Sequence, residues 1–176
     1  MEQIETARLI LRKGRAEDLN AIWQNVWSDE RIARMMLWKP TKTGEEAALR
    51  MQRTLAYQAR NDAFFVCRKD NDEPIGFAGI TQTEPGEFEE TGICIAQDYQ
   101  NRGFGKEVLL ALVKLAFSER GGRSFLYGCF HENAASAALC KSCGFQYSHT
   151  AEQVREWDGL PYRCDYYKLV READTI

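Results

Sequence analysis

The sequence predicts one mixed α/β domain built around a single central sheet. Three features carry that prediction. Apolar spacing switches repeatedly between a helical period and a strand period. Three strand-like runs follow one another between residues 63 and 97, separated by polar turns, the pattern of a meander. The last run passes through a glycine-containing loop straight into a long amphipathic helix, so helices must cover the sheet. The 176 residues fit one domain, since domains usually run about 100–200 residues. No internal repeat or low-complexity linker divides them, and residues 1–176 are taken as one unit.

Ile4, Leu9, Ile10 and Leu11 place a first strand over residues 4–12. Leu19, Ile22, Trp23, Val26 and Trp27 give residues 16–27 an apolar face at helical spacing. Residues 29–38 form a second short helical or irregular piece that stops near Pro40. Thr43 and Glu46 make a capping box, which starts a helix running to about Arg60. The meander strands cover residues 63–68, 74–83 and 88–97, with turns at 69–73 and 84–87. A long helix follows over about 103–119, with Phe104, Val108, Leu109, Leu112, Val113, Ala116 and Phe117 inward, and Gly121-Gly122 ends it. Residues 124–130 are a strand, and 133–143 a short helix closed by Gly144. Residues 145–150 and 162–170 are two closing strands.

Composition narrows the function. The chain has 23 Lys and Arg against 26 Asp and Glu, a net charge of −3, so no chain-wide basic footprint points to nucleic acid. No run approaches the ~18 apolar residues of a membrane span. The opening residues carry Glu2 and Glu5 and no cationic segment before an apolar run, so no signal peptide is expected and the cytoplasm is the expected location. There, the six cysteines at 67, 94, 129, 140, 143 and 164 are expected as reduced thiols. Cys140 and Cys143 have CxxC spacing, but no second Cys or His pair completes a zinc site, and no metal is expected.

The most informative stretch is the junction at residues 91–106, where a strand runs into Gln100-Asn101-Arg102-Gly103-Phe104-Gly105 and then into the long helix. Glycine lets a backbone approach a ligand closely, and the N–H groups of a first helical turn have no intrahelical partners. With the helix dipole they suit a phosphate. Arg102 and Lys106 add positive charge. A plain glycine turn into a core helix is the alternative. The phosphate-loop pattern GxxxxGK[ST] is absent, and these glycines follow a meander rather than the first strand of a dinucleotide-binding unit.

This loop resembles the acyl-CoA pyrophosphate loop of the GNAT family of N-acetyltransferases. Residues 5–12, ETARLILR, resemble the opening strand of its ribosomal-protein (RimJ/RimL-type) branch. Asn133-Ala134-Ala135-Ser136 followed by Lys141-Ser142-Cys143-Gly144-Phe145, and then Asp158-Gly159, Tyr162 and Asp165, resemble its later helix and closing strands. The resemblance covers about residues 4–170. It implies a mostly antiparallel sheet flanked by helices, with a splayed strand pair holding acyl-CoA. It implies that Ile93, Cys94 and Ile95 lend backbone groups to the pantetheine arm and that Asn101, Arg102, Gly103, Phe104, Gly105 and Lys106 cradle the pyrophosphate with backbone N–H groups. Asn133 would bind the pantetheine from the other side; a helix N-cap is its ordinary role, and both can hold together. The co-substrate would be acetyl-CoA and the partner an amine acceptor, a protein N-terminus or a small molecule, attacked directly in a ternary complex. Monomer and homodimer stay open.

Acetyl transfer to an amine needs a base, a donor for the developing oxyanion and help for the departing thiolate. Strict alternation puts Phe88, Glu90, Gly92, Cys94 and Ala96 on one strand face, with small residues beyond Glu90 that leave room for a ligand. Glu90 is therefore the candidate base; a solvated acidic strand start is the alternative. Glu89 is second, and with Trp38 it is a candidate acceptor contact. Many relatives carry a tyrosine acid where this sequence has Cys140, and some a glutamate where it has Gly128. Ser136 is the hydroxyl left to assist the thiolate. Cys140, expected on the same helical face, would then be close enough to CoA for a mixed disulfide. Two other readings stand beside the main one: an antibiotic or polyamine acetyltransferase, and a non-catalytic acyl-CoA sensor.

Overall fold

The computed structural model describes residues 3–171. Met1, Glu2 and residues 172–176, which the sequence reading includes in the domain, lie outside the described residues. Eight strands form one sheet: β1 (Gln3–Glu5), β2 (Leu9–Arg12), β3 (Asp62–Arg68), β4 (Pro74–Glu84), β5 (Glu87–Ile95), β6 (Ser124–Phe130), β7 (Gln146–Val154) and β8 (Pro161–Val170). Their order is β1-β2-β3-β4-β5-β6-β8-β7. Helices α1 (Leu19–Ile22), α2 (Glu30–Ala33), α3 (Gly44–Gln58), α4 (Phe104–Lys114) and α5 (Ala134–Ser142) flank it. This is the mixed, mostly antiparallel α/β architecture that the sequence predicts. β5 and β6 are parallel, joined through α4, and the other neighbours are antiparallel. No helix among the described residues is long and apolar enough to cross a membrane.

The core gathers where the predicted inward faces meet. Val108, Leu109 and Leu112 of α4 are fully buried, as are Phe64 of β3, Ile75 of β4 and Phe125 of β6. The helix predicted over residues 43–60 forms with Thr43 as its cap, the hydroxyl accepting from the Glu46 N–H. The strand predicted over 4–12 is instead a hairpin, because Thr6 turns the chain and its N–H donates to the Leu9 carbonyl at 3.0 Å. Residues 16–27 are not one α-helix. A 3-10 turn precedes α1, and a wide turn over Trp23–Trp27 follows it, which brings Val26 and Trp27 together into the core. Within the piece expected at 29–38 only α2 is helical. β7 extends four residues past the predicted Thr150. Its exposed, unpatterned side chains hide a strand that pairing with β8 alone defines.

One irregularity positions the site. Glu90 pairs with Ile80 and Ile93 with Ala78, so Thr91 and Gly92 together oppose Gly79. This is a β-bulge, and Gly92 takes φ 115°, a conformation that favours glycine. The extra residue reverses the alternation. Glu90 shares its face with Ile93 and Ile95, not with Cys94 as strict alternation predicts; Cys94 pairs with Phe77 on the other face. A Cβ at Gly79 would come within 2.5 Å of the Thr91 hydroxyl and 2.9 Å of the Asp62 carbonyl. Gly79→Ala is therefore expected to lower stability by about 2 kcal/mol, within the usual range for overpacking, measured as a shifted urea midpoint.

Candidate active site

The parallel pairing of β5 with β6 stops at Glu89 and Leu126. Beyond it the strands part and a groove of about 300 Å³ opens, walled by Ile93 and Ile95 on one side and by Asn133, Ser136 and Leu139 on the other. Along Ile93–Ile95 the strand edge toward β6 has no ladder partner among the described residues. An extended ligand can pair there as an added strand.

The glycine loop closes one end of this groove. Asn101 at φ 58° and Gly103 at φ 81° turn the chain into α4. Gly103 is the N-cap of α4, and no side chain among the described residues caps this helix. Its first N–H groups are thus left open beside Gly103, Phe104, Gly105 and Lys106, which all line the groove with Asn101. Gly105 permits the close approach of α5, since a Cβ there would lie 3.2 Å from Leu139. The opening hairpin fixes the loop from outside. Glu107, in the first turn of α4, accepts from the Thr6 hydroxyl at 2.6 Å, the Arg8 backbone N–H at 2.7 Å and Arg8 Nε at 2.8 Å. Arg8 also donates to the Arg102 carbonyl at 2.9 Å. An uncapped helix start, an open strand edge and a lysine make a fitting place for a phosphate-bearing, extended acyl carrier.

A second cavity of about 310 Å³ meets the groove, and the two share Ile93, Tyr127, Asn133 and Ser136. Glu89, Glu90 and Trp38 line it, together with Met35, Met36 and Leu37 of the irregular segment after α2. Glu90 is enclosed on most sides. Its carboxylate accepts from the Gly92 N–H that the bulge frees from the ladder. Burial raises its pKa from the ordinary 4.5 to about 7, while the N–H groups of Gly92 and Gly128 pull the other way. Burial also raises Glu89.

At the junction the Ser136 hydroxyl lies 2.7 Å from the Tyr127 hydroxyl. Tyr127 is 4% exposed, and burial pushes its phenol well above the usual range. Asn133 caps α5, its carbonyl oxygen accepting from the Ser136 N–H at 3.0 Å, while its side chain lines both cavities.

Most residues proposed from sequence therefore converge. Three do not. Arg102 does not line the groove and sits over the Tyr99 ring at 5.5 Å. Cys94, turned to the far face by the bulge, lines neither cavity. Cys140 is fully buried in the core, its thiol donating to the Ala137 carbonyl, so it is not placed for a mixed disulfide with CoA. Cys129 is the cysteine of β6 that lines the second cavity, close enough to Ser136 for its hydroxyl to influence the thiol. Tyr127 escapes sequence reasoning because a tyrosine in an apolar strand looks like core. Its one signal is its place on the strand that leads into the Asn133 cap.

Two cavities meeting beside a basic carboxylate suit transfer of a group from one bound molecule to another. The profile of the acetyltransferase (GNAT) domain family matches residues 8–146. The chain belongs to the GNAT family and is an acetyl-CoA-dependent acetyltransferase. It is 28% identical over 174 residues to the uncharacterized N-acetyltransferase YoaA of Bacillus subtilis (strain 168), covering 97% of this chain and 98% of that one. A GNAT-family acetyltransferase of Bacillus anthracis superposes with a TM-score of 0.83 at 19% identity, covering 97% and 99%. RimL, a ribosomal alpha-N-protein acetyltransferase solved with coenzyme A in disulfide linkage to one of its cysteines, superposes with a TM-score of 0.80 at 21% identity, covering 98% and 100%.

The state of Glu90 has a consequence for stability. Because the folded-state pKa is raised, the penalty for its charge is absent below the ordinary 4.5 and grows as pH rises toward about 7. Glu90→Gln removes that penalty. Its melting temperature is expected to exceed that of the wild type by several degrees above pH 7 and to match it near pH 4, by calorimetry.

Proposed function

We propose that this enzyme acetylates a primary amine, a protein N-terminus or a small molecule, by direct attack in a ternary complex. The observation that carries the reading is the meeting of the groove and the second cavity at Tyr127, Asn133 and Ser136, with Glu90 facing the second. Acetyl-CoA, held in the groove, supplies an activated acetyl thioester. The first-turn N–H groups of α4 at Gly103–Lys106 hold its pyrophosphate, and the open edge at Ile93–Ile95 with the Asn133 amide holds its pantetheine. Glu90, directly or through water, takes the proton that the attacking nitrogen must lose. A carboxylate poised near neutral pH suits that task, being deprotonated in use yet basic enough to accept. Ser136 donates to the departing thiolate. Tyr127 orients the serine and keeps its hydroxyl from turning away.

The resemblance of residues 5–12 and 133–145 to the ribosomal-protein branch, together with the likeness to RimL, supports an amine acceptor of that general kind. With no tyrosine acid at position 140, Ser136, which lines both cavities, is the hydroxyl assigned to the departing thiolate.

Three outcomes are expected. Wild-type kcat/KM should rise with pH through about 7, and Glu90→Gln should lower kcat ~100-fold or more and abolish that acidic limb. The same behaviour in Glu89→Gln but not in Glu90→Gln would overturn the assignment. Ser136→Ala should lower kcat while leaving the acetyl-CoA Kd within ~2-fold, because the interaction grows only as charge develops on sulfur; Cys140→Ala, altering a side chain outside both cavities, should not reproduce this in single-turnover transfer. Gly103→Val forces a β-branched residue to a positive φ at the head of α4, and should weaken acetyl-CoA binding at least ~10-fold in calorimetry.

A further inference from the structure

The cavity that holds Glu90 adjoins another of about 320 Å³, and the two share Trp38, Phe77 and Thr91 in their walls. Their charges are opposite. Among the described residues lining the first are Glu89 and Glu90 and no Lys, Arg or His. Among those lining the other are Arg50 and Arg53, one turn apart on α3, and no Asp or Glu. An elongated molecule that spans both would meet carboxylates at one end and guanidinium groups at the other.

Arg50 is the distinctive member. Its guanidinium carbon lies 4.2 Å from the centre of the Trp38 ring and 4.7 Å from that of Trp27. Its hydrogen bond runs from Nη1 to the Thr41 hydroxyl at 3.0 Å. No carboxylate forms an ion pair with it among the described residues. Burial lowers its pKa to about 10, so its charge is poorly solvated. Arg12, the arginine buried in the core, shows the usual remedy: Asp18 holds it at 2.8 Å and Asp72 at 2.7 Å. The Trp38 indole N–H, enclosed in the shared wall, also has no acceptor among the described residues. A guanidinium covered by aromatic rings offers its edge, and that edge matches a carboxylate in a two-point hydrogen-bonded pair.

We propose that Arg50 binds a carboxylate of the acceptor, so that the preferred acceptor is an amine that also carries a carboxylate. Its nitrogen faces Glu90, and its anionic end reaches past Trp38 to Arg50. The amine end of this assignment rests on the acetyl-transfer reading; the anion end does not. The carboxylate belongs either to a free amino acid or to an acidic residue near a polypeptide N-terminus, and one experiment separates these sources.

The test uses the full chain with saturating acetyl-CoA and paired acceptors. One arm is a chain-length series of ω-amino carboxylic acids, each beside its primary amide. The other is a set of peptides with Glu or Gln after the N-terminal residue. Thiol release gives kcat/KM. Tryptophan fluorescence in the CoA complex reads binding directly, because Trp27 and Trp38 touch Arg50. Wild type is expected to favour the acid over its amide at least ~10-fold in one arm, about 1.4 kcal/mol. The acid-to-amide ratio should collapse toward one in Arg50→Met and recover in part in Arg50→Lys. The favoured acid should also give a saturable fluorescence change that its amide does not. The arm showing the preference identifies the source. Equal use of acid and amide by wild type, or a ratio kept in Arg50→Met, overturns the proposal even if amines are acetylated. Acid-specific fluorescence without turnover of any amine upholds the carboxylate site and overturns the amine-acceptor reading instead.

Discussion

The extra residue that Thr91 and Gly92 place opposite Gly79 governs the geometry on which the site depends. A bulge bends its strand and raises the local twist. Here it lies just past the last pair between β5 and β6, where the two strands separate. It turns Ile93 and Ile95 to the same face as Glu90, and it frees the Gly92 N–H, which the Glu90 carboxylate then accepts. The backbone defect and the carboxylate therefore hold each other. Gly79 opposite, without a side chain, supplies the room.

The same arrangement explains how an acidic side chain can be basic near neutrality. Two backbone N–H groups favour the ionised form of Glu90, but burial outweighs them. Tyr127 adds no cation, and no Lys, Arg or His among the described residues lines that cavity. Positive charge lies elsewhere, with Lys106 at the groove and Arg50 and Arg53 beyond Trp38. The segregation keeps Lys106 at the groove, the Glu89 and Glu90 carboxylates and the Arg50–Arg53 recess from forming ion pairs with one another.

The opening residues have a role that their distance in sequence conceals. Thr6 and Arg8 bind Glu107, about a hundred residues away, and so anchor the first turn of α4. An acidic residue at a helix start is favourable in itself, yet a free carboxylate there would repel a pyrophosphate. Arg8 engages it and also steadies the Arg102 carbonyl. Arg102 thus contributes its backbone to the loop while its side chain leaves the groove.

Periodicity and punctuation alone determined much of this protein. The switch from helical to alternating spacing at Ala63, the Thr43–Glu46 box, the Gly103–Gly105 loop and the Asn133 cap each encode a local preference strong enough to survive in context. Resemblance of the loop and of the Asn133–Phe145 stretch then pointed to the family, and with it to Glu90, Ser136 and Trp38. The elements that escaped are those whose form depends on distant partners: the Thr6 turn, the wide turn at Trp23–Trp27, and the outer half of β7. The site divides along the same line. Strict alternation placed Cys94 beside Glu90, and helical spacing placed Cys140 near the sulfur. Only the tertiary structure showed that a bulge reverses the first and that the core absorbs the second. It alone brought Tyr127 to Ser136 and left Arg50 against two indoles without a counter-charge among the described residues. Local sequence specifies backbone preferences, whereas face, burial and charge partnership are settled by which segments pack together.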